Sequence, residues 1–155
     1  MSRDEVMLRA MNLLARREHS RTELRRKLAV HCEDADLIED VLQELHRRHL
    51  QSDERFSESL INSKAKNYGS LRLAEELRRK GVDSATAAAY LPDTDSERQR
   101  ALAVLQKKFR QPENTLAMKQ KYYRFLAYRG FSADVVSRSL KVWLSGDSID
   151  EDNDW

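Results

Sequence analysis

Gly81 and Gly130 stand 49 residues apart, and the sequences around them align without a gap. In that register Leu77 meets Leu126, Val82 meets Phe131, Asp83 meets Ser132 and Leu91 meets Leu140, so inward-facing and capping positions recur together. The strings "ELRRKL" at Glu23–Leu28 and "ELRRKG" at Glu76–Gly81 tie an earlier segment to the pattern, at an offset of 53 and with a longer loop. A unit this short buries little surface alone, which restricts the chain to tandem units sharing a core.

Apolar residues spaced by three and four predict three helices in each unit. In the first unit Val6, Met7, Ala10, Met11, Leu13 and Leu14 form one face. Ser20 and Glu23 make a capping box ahead of Leu24 and Leu28, and Asp34 precedes a stripe of Leu37, Ile38, Val41, Leu42 and Leu45. In the second unit Ser52 or Asp53 caps a helix carrying Phe56, Leu60 and Ile61, and Gly69 breaks it. Leu73 and Leu77 follow one turn apart, Gly81 offers a left-handed stop, Asp83 or Ser84 caps an alanine-rich helix, and Pro92 ends it. In the third unit Ala101, Leu102, Leu105 and Phe109 face inward, a long helix runs from Leu116 to Arg129 and closes at Gly130, and Ser132 caps the last, which carries Val135, Val136, Leu140 and Trp143.

The expected fold is therefore all-α, three tandem three-helix repeats of about nine helices forming an elongated, curved array. The repeats are expected over 1–50, 51–92 and 93–146. Four glycines and two prolines in 155 residues agree with helices joined by few tight turns. A single cysteine, Cys32, allows no intramolecular disulfide, no apolar stretch follows the charged N-terminus, and no run of about 18 apolar residues could span a membrane. A cytoplasmic protein is expected.

The net charge of +2 averages two opposed regions. Residues 147–155, "DSIDEDNDW", hold five acidic side chains and no Lys or Arg, so setting them aside leaves +7 on residues 1–146. Residues 93–146 carry eleven Lys and Arg against five Asp and Glu. A basic body points to a polyanionic or acidic partner; the acidic end reads as a solvated, disordered tail or as a competitor for that surface. Consecutive cations in the repeated string spread around the exposed part of a helix whose leucine faces inward. Lys119, Lys121, Arg124 and Arg129 interleave with Tyr122, Tyr123, Phe125 and Tyr128, a pattern used against nucleic acid or acidic protein.

Nothing in the sequence supports catalysis: there is no Gly-rich phosphate loop, no GxSxG and no HExxH. Of His19, His31, His46 and His49, the last two lie three apart and could join Cys32 around a metal, but a structural zinc site draws close ligand pairs from two places and one is present. Neither metal nor cofactor is expected.

The strings "SRTELRRKL" at Ser20–Leu28, "SDERF" at Ser52–Phe56, "NYGSLRLAEELRRKGV" at Asn67–Val82 and "KYYRFLAYRGFSADVV" at Lys121–Val136, in this order and spacing, resemble the RecX family of bacterial recombinase regulators. The resemblance spans about residues 4–145. It implies three tandem three-helix repeats and a non-enzymatic monomer that binds RecA protein, chiefly as the RecA–single-stranded-DNA filament, and lowers its ATPase, strand-exchange and co-protease activities. It also implies roles in recombinational DNA repair and the SOS response, with weak direct DNA binding as a secondary property. Ser20, Leu24, Asp53, Phe56, Gly69, Leu77, Gly81, Phe125, Leu126 and Gly130 carry the motifs, in mainly structural roles. Charge and repeat spacing place Arg25, Arg26, Lys27, Arg78, Arg79 and Lys80 against acidic protein or DNA phosphate, with Lys119, Lys121, Arg124 and Arg129 as the strongest patch. The competing readings are a free-standing helix-turn-helix-like DNA-binding protein and a structural helical adaptor.

Overall fold

The computed structural model describes residues 1–146; the acidic segment 147–155 lies outside the described residues. Among the described residues nine α-helices and no strand occur: α1 (Arg3–Arg16), α2 (Arg21–Ala29), α3 (Ala35–Arg47), α4 (Asp53–Lys64), α5 (Ser70–Arg79), α6 (Ser84–Tyr90), α7 (Thr94–Phe109), α8 (Leu116–Tyr128) and α9 (Ala133–Ser145). The all-α expectation of three three-helix repeats holds. None of these helices is long and apolar enough to cross a membrane.

Local capping chemistry sets the helix starts. Ser20 Oγ accepts from the Glu23 N–H at 3.0 Å while the Glu23 carboxylate accepts from the Ser20 N–H at 3.3 Å, the capping box read from sequence. Asp34, Asp93, Thr115 and Ser132 cap α3, α7, α8 and α9 through backbone N–H groups three residues on. The two open choices resolve: Ser52 Oγ caps α4 through the Arg55 N–H at 3.1 Å, and Asp83 Oδ1 caps α6 through the Thr86 N–H at 2.8 Å. Asp53 is thereby left to accept from the Arg21 N–H at 2.9 Å and Gln51 Nε2 at 3.0 Å, fastening the start of α2 to the start of α4.

The chain forms two compact units, Met1–Leu60 with Glu76–Tyr90, and Ile61–Glu75 with the chain from Leu91 onward. The division passes through α4 and α5, so the helices of the first and last repeats each stay in one unit while the middle repeat contributes to both.

In the first unit α1, α2 and α3 bury Val6, Ala10, Leu24, Leu28, Cys32, Ile38, Val41, Leu42 and Leu45. The apolar face of α1 is narrower than its spacing suggests: Val6 and Ala10 are fully covered, Met7, Leu13 and Leu14 are half-buried, and Met11 is exposed. In the second unit α7, α8 and α9 enclose Ala101, Leu105, Tyr122, Leu126, Val136 and Trp143. Phe109 meets Tyr122 and Phe125 edge-on at centroid distances of 4.8 and 5.4 Å, and Tyr122 meets Trp143 at 6.3 Å. Tyr122 is fully buried and its hydroxyl accepts from the Glu113 N–H at 3.0 Å.

One joint occurs in both units. Gly81, at φ +80° after α5, lies against Thr22 of α2, where a Cβ would approach Thr22 Oγ1 to 2.1 Å. Gly130, at φ +92° after α8, lies against Arg72 of α5, where a Cβ would approach Arg72 Cβ to 2.3 Å. The aligned glycines thus serve two needs, a left-handed helix stop and close packing on a middle helix one repeat earlier.

Candidate partner and nucleic-acid interface

The two copies of the basic string contact each other. Arg26 Nη1 donates to the Arg79 carbonyl at 3.0 Å, Lys80 Nζ lies 3.3 Å from Glu23 Oε2, and Ser20 Oγ donates to the Lys80 carbonyl at 2.6 Å. Arg17 adds two hydrogen bonds to the same Glu23 carboxylate, at 2.5 and 3.1 Å. Burial by itself would raise the Glu23 carboxyl, but the hydrogen bonds and charges of Arg17 and Lys80 outweigh it and hold the group at about 2. The neighbouring His19 is buried, with Nδ1 3.1 Å from the Arg17 carbonyl and Nε2 3.0 Å from Lys27 Nζ. An ammonium can only donate, so Nε2 accepts and Nδ1–H donates, the neutral tautomer. Burial lowers the His19 pKa, as do the charges of Arg17 and Lys27, against an opposing bond to the Arg17 carbonyl.

Of the six cations in the repeated strings, Arg25 pairs with Glu39, and Arg26, Lys27 and Lys80 bond within the first unit. Arg78 and Arg79 present exposed side chains. Leu24 and Leu77 are fully buried and Phe56 nearly so.

The second unit gathers a longer array than the sequence suggested. Along α8, Tyr122 and Leu126 face the core, Lys119, Lys121 and Arg124 are exposed, and Phe125 and Arg129 sit half-buried. Arg129 lies 5.2 Å from the Phe125 ring centroid and 5.5 Å from that of Tyr68; Arg72 lies 4.1 Å from Tyr68 and 6.0 Å from Tyr128. Phe125, Arg129, Tyr68, Arg72 and Tyr128 thus alternate ring and guanidinium in one continuous stack, ending at Tyr128, which is 80% exposed. Lys121 stands over Phe109 at 5.8 Å.

Beside this stack, Lys66, Arg100, Lys107, Lys108 and Arg129 ring a groove of about 600 Å³, floored by Val104 and Phe125. Two of the five cations are fixed by backbone carbonyls: Arg100 Nη1 donates to Ala65 O at 2.6 Å and Tyr68 O at 3.1 Å, and Arg129 Nη1 donates to Asn67 O at 3.2 Å. Burial lowers the Arg100 pKa, with Glu97 and Asp93 opposing the shift. Carbonyls orient these guanidiniums without cancelling their charge, leaving a preorganised cationic groove beside stacking surfaces. Such a combination holds phosphodiester backbone with bases, or acidic side chains.

Of the residues named from sequence, Phe125 and Arg129 enter the stack and border the groove and Lys121 stands over Phe109, whereas Lys119 and Arg124 are exposed on α8; Lys66, Tyr68, Arg72, Arg100, Lys107 and Lys108 are not among them. The string "KNYGSLR" at Lys66–Arg72 interleaves cations with an aromatic and held the available signal; nothing local links it to α7 and α8. Among the described residues no three His, Cys, Asp or Glu side chains gather around a common metal position; Cys32 is buried, whereas His46 and His49 are exposed.

Three family models match consecutive stretches of the chain: the first three-helix domain of RecX over residues 7–45, the second over 52–91 and the third over 95–140. A Neisseria gonorrhoeae protein named regulatory protein RecX is 51% identical over 133 residues, covering 86% of this chain and 87% of that protein. The regulatory protein RecX of Ralstonia nicotianae is 40% identical over 147 residues, covering 94% of this chain and 91% of its own. The crystal structure of RecX from Lactobacillus salivarius superposes with a TM-score of 0.78 at 19% identity, covering 90% of this chain and 94% of that one, a likeness of fold. Matched by three consecutive family models and by a relative 51% identical over 86% of its length, the chain belongs to the RecX family.

Proposed function

We propose that this protein is a regulator of RecA recombinase, binding the RecA–single-stranded-DNA filament and chiefly lowering its ATP hydrolysis, strand exchange and co-protease activity. It works by binding and performs no chemistry of its own. The observation that carries this reading beyond family membership is the second unit's stack of rings and guanidiniums beside a groove of five cations. Tandem repeats allow a monomer to make several weak contacts on neighbouring RecA subunits, which combine through effective concentration. Bound in this way, it hinders subunit addition or the inter-subunit movement that turnover requires. The setting is cytoplasmic recombinational repair and the SOS response.

The test is RecA's single-stranded-DNA-dependent ATP hydrolysis with this protein titrated far below the RecA concentration. A fall at substoichiometric amounts supports a filament regulator. Unchanged hydrolysis alongside strong sequence-specific duplex binding would replace it with a free-standing DNA-binding protein.

A further inference from the structure

We propose that the cationic groove of the second unit is also an acidic-peptide site, and that its occupant is this chain's own segment Asp147–Trp155. Five cations, Lys66, Arg100, Lys107, Lys108 and Arg129, line the groove, and among the described residues no Asp or Glu does. Asp147, Asp150, Glu151, Asp152 and Asp154 supply five carboxylates within nine residues that contain no cation. Trp155 matches the apolar floor of Val104 and Phe125.

The segment begins within reach. It follows Gly146 at the end of α9, and α9 packs on both α7 and α8, the helices that carry most of the groove. Ring contacts trace the distance: Trp143 is 6.3 Å from Tyr122, Tyr122 is 4.8 Å from Phe109, and Phe109 adjoins Lys108. Nine extended residues cover up to about 30 Å. Tethering sets an effective concentration in about the millimolar range, so individually weak, screened ion pairs suffice. Occupied by carboxylates, the groove is closed to phosphates. As regulation of the surface assigned above, this consequence rests on that proposal, whereas occupancy of the groove does not.

The test uses the 155-residue chain and its variant D147N/D150N/E151Q/D152N/D154N, without RecA. Backbone amide spectra are compared, and the affinity for a fluorescent oligothymidylate is measured at low salt. The expected result is amide shifts at Lys107, Lys108, Phe125 and Arg129, their loss in Lys107→Glu/Lys108→Glu, and at least a fivefold tighter oligonucleotide affinity in the neutralised chain. Shifts confined to residues 142–146 would overturn the proposal, even with tighter oligonucleotide binding, because remote charge alone explains that result. Shifts that grow with protein concentration would assign the occupant to a second copy and overturn the intramolecular form. Shifts at the groove with unchanged oligonucleotide affinity would uphold its occupancy by the segment and overturn only the groove's assignment as the polyanion surface.

Discussion

The Lys80 ammonium lies 3.3 Å from Glu23 Oε2, so the second copy of the repeated basic string holds the acidic residue that begins the first. Duplication gave two surfaces that fit each other, and part of what looks like a binding motif is a joint. Glu23 closes a capping box, receives Arg17 and Lys80, and is almost wholly buried. Buried carboxylates persist only with such partners.

Glu23→Gln is expected to destabilise the first unit in a pH-dependent way. The folded-state pKa, about 2, lies below the ordinary 4.5, so the carboxylate's contribution is fully present above pH 4.5 and is lost as pH falls toward 2. The loss at pH 7 is roughly 1–3 kcal/mol, allowing for the burial cost that the pair must overcome. Urea denaturation of wild type and variant at pH 7, 4.5 and 3 tests this: the two curves are expected to converge toward low pH.

His19 gives a second pH dependence at higher pH. Its folded pKa is lowered, chiefly by burial and further by the nearby Arg17 and Lys27 charges, with Glu23 opposing. A neutral buried histidine contributes stability that is complete above the ordinary 6.5 and declines as pH falls below it. The wild-type denaturation midpoint is expected to drop between pH 7.5 and 5.5 more than that of His19→Gln. Equal drops would show that His19 titrates alike in the folded and unfolded chain.

Gly130→Ala and Gly146→Ala separate close packing from backbone strain. Both glycines have positive φ, +92° and +78°, but a Cβ at Gly130 meets Arg72 Cβ at 2.3 Å while one at Gly146 meets nothing within 4 Å. The Gly146 variant is expected to lose about 1 kcal/mol from strain, and the Gly130 variant about 2–4 kcal/mol. Chemical denaturation midpoints at constant m-value measure the difference.

The fold was largely legible because its determinants are local: period, caps at Ser20, Asp34 and Ser132, and glycine stops at Gly81 and Gly130. The interface was legible only in part. Lys80 and Arg26 read as surface cations because Glu23 and the Arg79 carbonyl lie 57 and 53 residues away in sequence. Arg100 gave no sign that it bonds Ala65 and Tyr68, 35 and 32 residues earlier, since its partners are carbonyls that any residue supplies. Charge in sequence shows how many cations a surface has available; tertiary contacts decide which remain for a partner.

That division separates two charge reversals. Lys80→Glu sets a carboxylate against Glu23 and is expected to lower the thermal midpoint by several degrees, with any functional loss following the unfolding. Lys107→Glu/Lys108→Glu alters two exposed groove cations and is expected to leave the thermal midpoint within about 2 °C, a change of less than about 0.5 kcal/mol. It is nevertheless expected to weaken inhibition of RecA ATP hydrolysis at least tenfold and to reduce the salt slope of single-stranded oligonucleotide binding by about 1.4, roughly 0.7 for each phosphate contact removed. Arg78→Glu/Arg79→Glu, on the exposed end of α5, tests the first unit in the same assay, with inhibition expected to fall and helicity to stay intact. If the Arg78 and Arg79 reversal leaves inhibition unchanged while the Lys107 and Lys108 reversal abolishes it, the repeated string that dominates the sequence is a joint between repeats, and partner binding belongs to the second unit.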